Sequence, residues 1–366
     1  MAEKLSWFVS WWKRHQRRIN TAALVVGFSF DLYLAKRPDS IADNVLLLSY
    51  LLITAACIVL LNRVRRPSEE LQSPTQSLTL LLILQFCYGG LANNLLILYG
   101  KSGTLGGSAL FVALLLGLIV GNERLQNRYA LLRFNVGVYY TLLLTYLVIA
   151  APTFLFHSIG TKEFLLSGVM SLLFMGLFLS LFYATVLRGR GREKHLAESV
   201  GIVLGVFALF NALYFSNLMP PVPLSVKSIG IYHALSRDAA GNYTATYEPP
   251  AWFAFWRDTS TTYTYASGQT AYCFSAIFAP GGLQTPITHR WEFYNADTKV
   301  WETKVETSFS ILGGRAGGYR GFSLDTNLAP GAWRCDVETS RGQLLSRLAF
   351  TVAESSTTPA LSTATL

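Results

Sequence analysis

Charge is scarce in this chain: 14% of its 366 residues are Asp, Glu, Lys or Arg, 51% are hydrophobic, and mean hydropathy is +0.35. Soluble domains carry roughly 25% charged residues, so the balance excludes an ordinary soluble protein and points to a membrane protein or a hybrid. Cysteine and histidine are also few, four and five. His15, His157, His195, His233 and His289 show no H-x-x-x-H or H-E-x-x-H spacing and no C-x-x-C occurs, so the sequence implies no metal and no cofactor. Without a G-x-S-x-G elbow a serine hydrolase has no direct support, and the reading leans away from an enzyme. The glycine-rich run GGRAGGYRG (313–321) matches the phosphate-cradling pattern G-x-x-x-x-G-K-[ST] only at Gly313 and Gly318. Tyr319 and Arg320 stand where Lys and Ser/Thr belong.

What the chain does contain is unevenly placed. Long apolar runs are confined to residues 1–218, with segments near 19–35, 43–62, 77–99, 104–121, 135–156, 164–187 and 198–218. Each approaches the roughly 20 apolar residues that a helix needs to cross a bilayer, which predicts about seven transmembrane helices. Residues 1–218 hold 19 Lys and Arg against 10 Asp and Glu, whereas residues 219–366 hold 11 of each. The basic excess therefore reflects membrane orientation rather than nucleic-acid binding. Fifteen basic residues, from Lys4 to Lys194, fall before the first span and in the second, fourth and sixth loops. The opposite loops carry only Lys36, Arg37, Lys101 and Lys162. Basic loops stay in the cytoplasm, so a bacterial inner-membrane protein is expected, its N-terminus inside and everything after residue 218 periplasmic. Trp7, Phe8, Trp11 and Trp12 among basic residues read as an interfacial anchor in a cytoplasmic segment, 1–18.

Beyond a transmembrane domain at 19–218 and a proline-rich linker at 219–225, the pattern changes to a period of two. Ile287, His289, Trp291 and Phe293 alternate with Thr288, Arg290, Glu292 and Tyr294; Trp333, Cys335 and Val337 repeat the rhythm. Short strands separated by turn residues predict an all-β immunoglobulin-like sandwich over 226–353, and the Ser/Thr-rich residues 354–366 predict a disordered tail. Within YEPPAWFAFW (247–256), apolar residues occupy both alternating faces, which favours packing against the core or a membrane over a glycan platform. Cys57 and Cys87 fall in spans and read as small hydrophobes, while Cys273 and Cys335 leave a disulfide open.

The run GGRAGGYRGFSLDTNLAPGAWRCDVETSRGQLLSRLAFTV, preceded by ITHRW and NLMPPVPLS, resembles the membrane-bound branch of domain-of-unknown-function family 2914 (DUF2914). FSFDLYLAKRPDSIADN, LQFCYGGL and NERLQNRYALLRF are similar to that branch as well. The resemblance implies the two-part architecture and no activity. Cys335 departs from it, standing where the family has a β-branched residue, which favours a buried role.

Candidate sites follow from polar groups in unexpected settings. Asp31, near the end of the first span, with Arg37 beyond it, reads as a proton or headgroup site or, more simply, as an interfacial ion pair. Asn93 and Asn94 could line a polar cavity or bond neighbouring helices. In the outer domain His289, Trp291, Arg315, Tyr319, Arg320 and Arg334 are the candidate binding residues, the arginines as a surface for carboxylate or phosphate. The expected partners are the lipid bilayer and an envelope protein or glycan, not nucleic acid. The leading expectation is a membrane-anchored binding module; the alternative is a membrane enzyme or transporter for a lipid-linked or small polar substrate, in which Asp31, Asn93 and Asn94 converge.

Overall fold

The computed structural model describes residues 38–64, 74–124, 132–186, 192–239, 241–254, 257–265, 268–354 and 359–366. The expected first span at 19–35, the N-terminal anchor, Asp31 and Arg37 lie outside the described residues. The chain divides into two compact units: Met1–Leu98, Leu110–Ala150 and Leu165–Leu213 form one, and Tyr99–Ala109, Ala151–Phe164 and Tyr214–Leu366 the other.

Six α-helices appear among the described residues: α1 (Ile41–Val64), α2 (Pro74–Gly100), α3 (Leu105–Arg124), α4 (Leu132–Ala151), α5 (Thr161–Thr185) and α6 (Arg192–Phe215). Five, all but α3, are long and apolar enough to cross a membrane; α3 carries a shorter apolar stretch, Ala109–Leu118. Seven spans were expected, so the described residues support five. Ser40 starts α1, its hydroxyl accepting from the Asp43 backbone N–H at 3.3 Å. Pro152, which has no N–H to donate, ends the regular part of α4 in a π-helical turn at Pro152–Phe156.

In the first unit α4 is buried along most of its length, as is the second half of α2. The other helices turn large apolar side chains outward, among them Leu52, Leu173 and Leu177, each at least 60% exposed. Water would penalise that surface by roughly 25 cal/mol per Å2, whereas acyl chains would not. Hydroxyl bonds join the helices inside: Tyr140 to Ser171 at 3.1 Å, Tyr183 to Ser199 at 3.0 Å, and Tyr88 to the Asn135 carbonyl at 3.0 Å.

The second unit is mainly β-structure. Its strands are β1 (Ser225–Tyr232), β2 (Ala234–Arg237), β3 (Tyr243–Tyr247), β4 (Thr262–Tyr265), β5 (Ala271–Phe278), β6 (Gln284–Asn295), β7 (Val300–Leu312), β8 (Tyr319–Asp325), β9 (Gly331–Thr339), β10 (Leu344–Glu354) and β11 (Ser362–Thr365). A three-stranded sheet, β1-β5-β8, faces a five-stranded sheet, β4-β10-β9-β6-β7. Between them lie Cys273, Trp291, Trp333, Cys335 and Phe350 toward one end and Leu224, Ile277, Ile287, Ile311 and Val337 toward the other. The expected alternation on β6 and β9 is the alternation between this core and the outer face.

Three features add to or differ from the sequence reading. A third sheet, β11-β3-β2, adds a layer to the expected sandwich: Tyr243 and Ala245 of β3 cover Phe274 and Ala276 of β5. Seven of the eight residues of β5 are consequently buried, the mark of a strand covered on both faces. The proline-rich linker is packed into the β-domain: Met219, Val222 and Leu224 are buried and Leu224 enters the core. The tail is not uniformly disordered either: Ser362–Thr365 form β11, because β3 offers an edge whose backbone groups they can pair with.

Candidate functional site

The inward row of β6 places His289 and Trp291 opposite Ser275 and Cys273 of β5 and Ser323 of β8. All are completely or nearly completely buried. Cys273 and Cys335 form a disulfide across the two sheets, resolving the pairing that the sequence left open. The His289 ring meets Ser275 Oγ at 2.7 Å through Nε2 and Ser323 Oγ at 3.0 Å through Nδ1. Trp291 Nε1 donates to the same Ser323 oxygen at 2.8 Å. One consistent proton arrangement runs Trp291 N–H to Ser323, Ser323 O–H to His289 Nδ1, and His289 Nε2–H to Ser275. Burial disfavours the imidazolium and lowers the His289 pKa to about 4, against the raising effect of a hydrogen bond with the Cys273 backbone.

As candidate binding residues His289 and Trp291 are therefore corrected: neither reaches the surface, because the strand period turns both into the core. Cys273, His289 and Cys335 bring three potential ligand atoms within 4.8 Å of one another, a set that wide sequence separation concealed. Here the sulfurs are bonded to each other and both ring nitrogens are occupied by serines, so the cluster is a cross-linked polar core.

The alternate row faces outward and is rich in charged residues. Arg334 pairs with Glu292 and lies 3.7 Å from Asp336, with its guanidinium 4.3 Å from the Trp301 ring centre. Arg347 binds Asp336 through two bonds, at 2.7 and 2.5 Å, and Arg290 reaches Glu338 at 3.1 Å and Glu306 at 3.7 Å. Asp336, Glu292 and Glu338 are buried beneath these partners. Burial raises the Glu338 pKa, and the Arg290 charge only partly offsets it. The sequence signal was legible in R-x-E at 290–292 and R-x-D-x-E at 334–338, where charges repeat at the outward period.

This arrangement corrects the proposed arginine surface. Arg334 is neutralised on the outer face of the five-stranded sheet. Arg320 alternates with the inward-facing Tyr319 and Gly321 on β8 and lies opposite Ala276, on the outer side of the other sheet. Arg315 is exposed in the 313–318 turn. The arginines do not converge, and Tyr319 packs toward the core.

The glycines around Arg315 have a backbone role. Gly314 and Gly318 adopt φ of +113° and +89°, and the Gly313 N–H donates to the Leu283 carbonyl at 2.8 Å. In α2 Asn93 and Asn94 are both buried, and the Asn94 amide donates to the Gly90 carbonyl of its own helix at 2.9 Å. Convergence with Asp31 falls outside the described residues.

The run 247–256 carries a second exposed surface. Trp252 and Phe253 are 91% and 60% exposed and stack edge-on with ring centres 5.9 Å apart, so of the two expected settings, core or membrane, they are not in the core. Phe255 and Trp256 of the same run lie outside the described residues. The loop bearing the pair runs from β3 to β4 and is pinned at its base by Glu248. That carboxylate accepts from the Thr264 backbone and hydroxyl and meets His233 Nε2 at 2.9 Å, while the Glu248 carbonyl accepts from the Ser260 N–H. His233 in turn stacks on Tyr263 at 4.3 Å. Only tertiary pairing reveals that Glu248 anchors the loop.

Comparison with curated proteins found no match. Among solved structures, an immunoglobulin-like protein from Pseudomonas aeruginosa aligns at 14% identity over 36% of this chain and 96% of its own, with a TM-score of 0.22. A β-glucosidase from Listeria innocua aligns at 11% identity over 34% of this chain and 16% of its own, with a TM-score of 0.19. An alkylpurine DNA glycosylase from Pseudomonas fluorescens aligns at 9% identity over 83% and 97%, with a TM-score of 0.21. Scores this low carry no argument about fold or function. The informative match is the C-terminal one: residues 284–352, which run from the start of β6 into β10, match the model of the DUF2914 family of proteins of unknown function.

Proposed function

We propose that this is an integral membrane protein of the bacterial inner membrane, with a cytoplasmic N-terminus, whose periplasmic β-domain binds an envelope component or partner protein. The exposed Trp252–Phe253 pair carries the reading. Aromatic side chains held outward on an anchored loop lose little conformational freedom on binding and supply large contact area, as interface hot spots do. The five long apolar helices and the basic bias of alternate loops support the membrane placement.

Two measurements test it. A photo-crosslinking amino acid replacing Trp252 in the full chain, activated in intact cells, is expected to yield a discrete adduct that Phe253→Ala weakens. Adducts no stronger than those from the exposed position Thr303 would overturn the binding role. Alkaline phosphatase fused after residue 224 is expected to be active in intact bacteria; an inactive fusion would overturn the periplasmic placement.

A further inference from the structure

We propose that the edge of β3 is a strand-addition site for an extended peptide, and that residues 362–366 occupy it in cis. The segment is polar and Ser/Thr-rich, and such a composition does not order itself. It is nevertheless paired in register along β3: Ser362 with Tyr247, Thr363 with Thr246, Ala364 with Ala245 and Thr365 with Thr244. The Leu366 N–H continues the ladder to the Tyr243 carbonyl at 2.8 Å.

What holds the segment is main chain plus one anchor. The side chains of β11 are alternately half-buried and exposed, whereas Leu366 packs against the cluster formed by Tyr232, Tyr243, Ala245, Phe274 and Ala276. Recognition of this kind takes affinity from backbone hydrogen bonds and specificity from a side-chain pocket. The ligand class is thus an extended, β-prone peptide with a Leu-like residue at the anchor position. β3 has β2 on its other side, so departure of β11 leaves one edge open for that peptide. A free peptide must compete with a tethered segment whose effective concentration is in the millimolar range. This site is separate from the Trp252–Phe253 surface, and either can fail without the other.

The test uses the full chain in detergent, intact and with residues 359–366 deleted, and a fluorescent peptide of the sequence PALSTATL read by anisotropy. The deleted chain is expected to bind it saturably and at least ~100-fold more tightly than the intact chain. A peptide with Asp in place of its final Leu should bind at least ~10-fold more weakly. Equal binding by both chains, or no binding by a deleted chain that retains its disulfide and the amide protection of β5 and β6, would overturn the proposal. Folding of the deletion variant is bypassed by hydrogen exchange on the intact chain: millimolar unlabelled peptide should accelerate exchange at 362–366 and leave β5 unchanged. Unaltered exchange at 362–366 would also overturn it.

Discussion

Replacing Gly313 by Ala tests whether the glycine-rich run exists for backbone packing. A Cβ there would stand 1.8 Å from the Pro280 carbonyl oxygen and 2.8 Å from that of Ala279. Real Cβ contacts respect about 3.0 Å, so backbone must retreat from backbone by more than 1 Å. That movement breaks the bonds from Gly313 N–H to Leu283 and from Gly314 N–H to Ala279, now 2.8 and 3.1 Å. Two lost hydrogen bonds at about 1 kcal/mol each, with a similar amount of residual strain, amount to about 3 kcal/mol. Gly317, four residues along, has nothing within 4 Å of its added Cβ and no positive φ, so Gly317→Ala should change stability by less than about 0.5 kcal/mol. Hydrogen exchange of the full chain in detergent reads both: protection of β5 and β6 amides should fall roughly 150-fold in Gly313→Ala and stay unchanged in Gly317→Ala. Equal effects in the two variants, or none in either, would refute the steric argument and reopen a ligand role for the loop.

Three further outcomes are expected. The folded-state pKa of His289 is depressed from 6.5 to about 4, so the unfolded chain binds the extra proton between those values. The resulting stability is complete above pH 6.5 and falls by about 3 kcal/mol as pH drops to 4. Glu338, with its raised pKa, acts in the opposite sense; comparing His289→Gln with the parent across pH 4–7 cancels that contribution and should show a flatter profile. Arg334→Ala leaves the Glu292 and Asp336 carboxylates short of a partner and should cost about 3 kcal/mol, whereas Arg315→Ala at an exposed turn should cost less than about 0.5 kcal/mol, both read by denaturant-dependent proteolysis. Cys335→Ser opens a cross-link between residues 62 apart and should lower stability by up to about 4 kcal/mol, seen as earlier proteolytic loss of the β-domain.

Local chemistry made much of the architecture legible. A bilayer demands apolar length and a pleated strand demands alternation, and both demands act on neighbouring residues, so the helical segments and the facing rows of β6 and β9 could be read directly. The sequence alone separated the apolar 1–218 from the strand-forming remainder and carried the DUF2914 resemblance that the match over residues 284–352 supports. It also showed that the 313–321 run fits the nucleotide-loop pattern only in part.

Other decisions belonged to the tertiary structure, because each depends on residues brought together from distant strands. Alternation showed that His289 and Arg290 point oppositely; sheet pairing decided that His289 faces serines and a disulfide while Arg290 faces carboxylates. Arg320 and Arg334 looked like one surface in sequence but lie on outer faces of different sheets. Apolar residues on both faces of 247–256 left core and membrane packing open for Trp252, and only the fold shows that it lies outside the core. The tail had too little apolar surface to order itself, and β11 formed because β3 offered an unpaired edge. Periodicity specifies which residues share a face; only the packed fold specifies what, if anything, covers it.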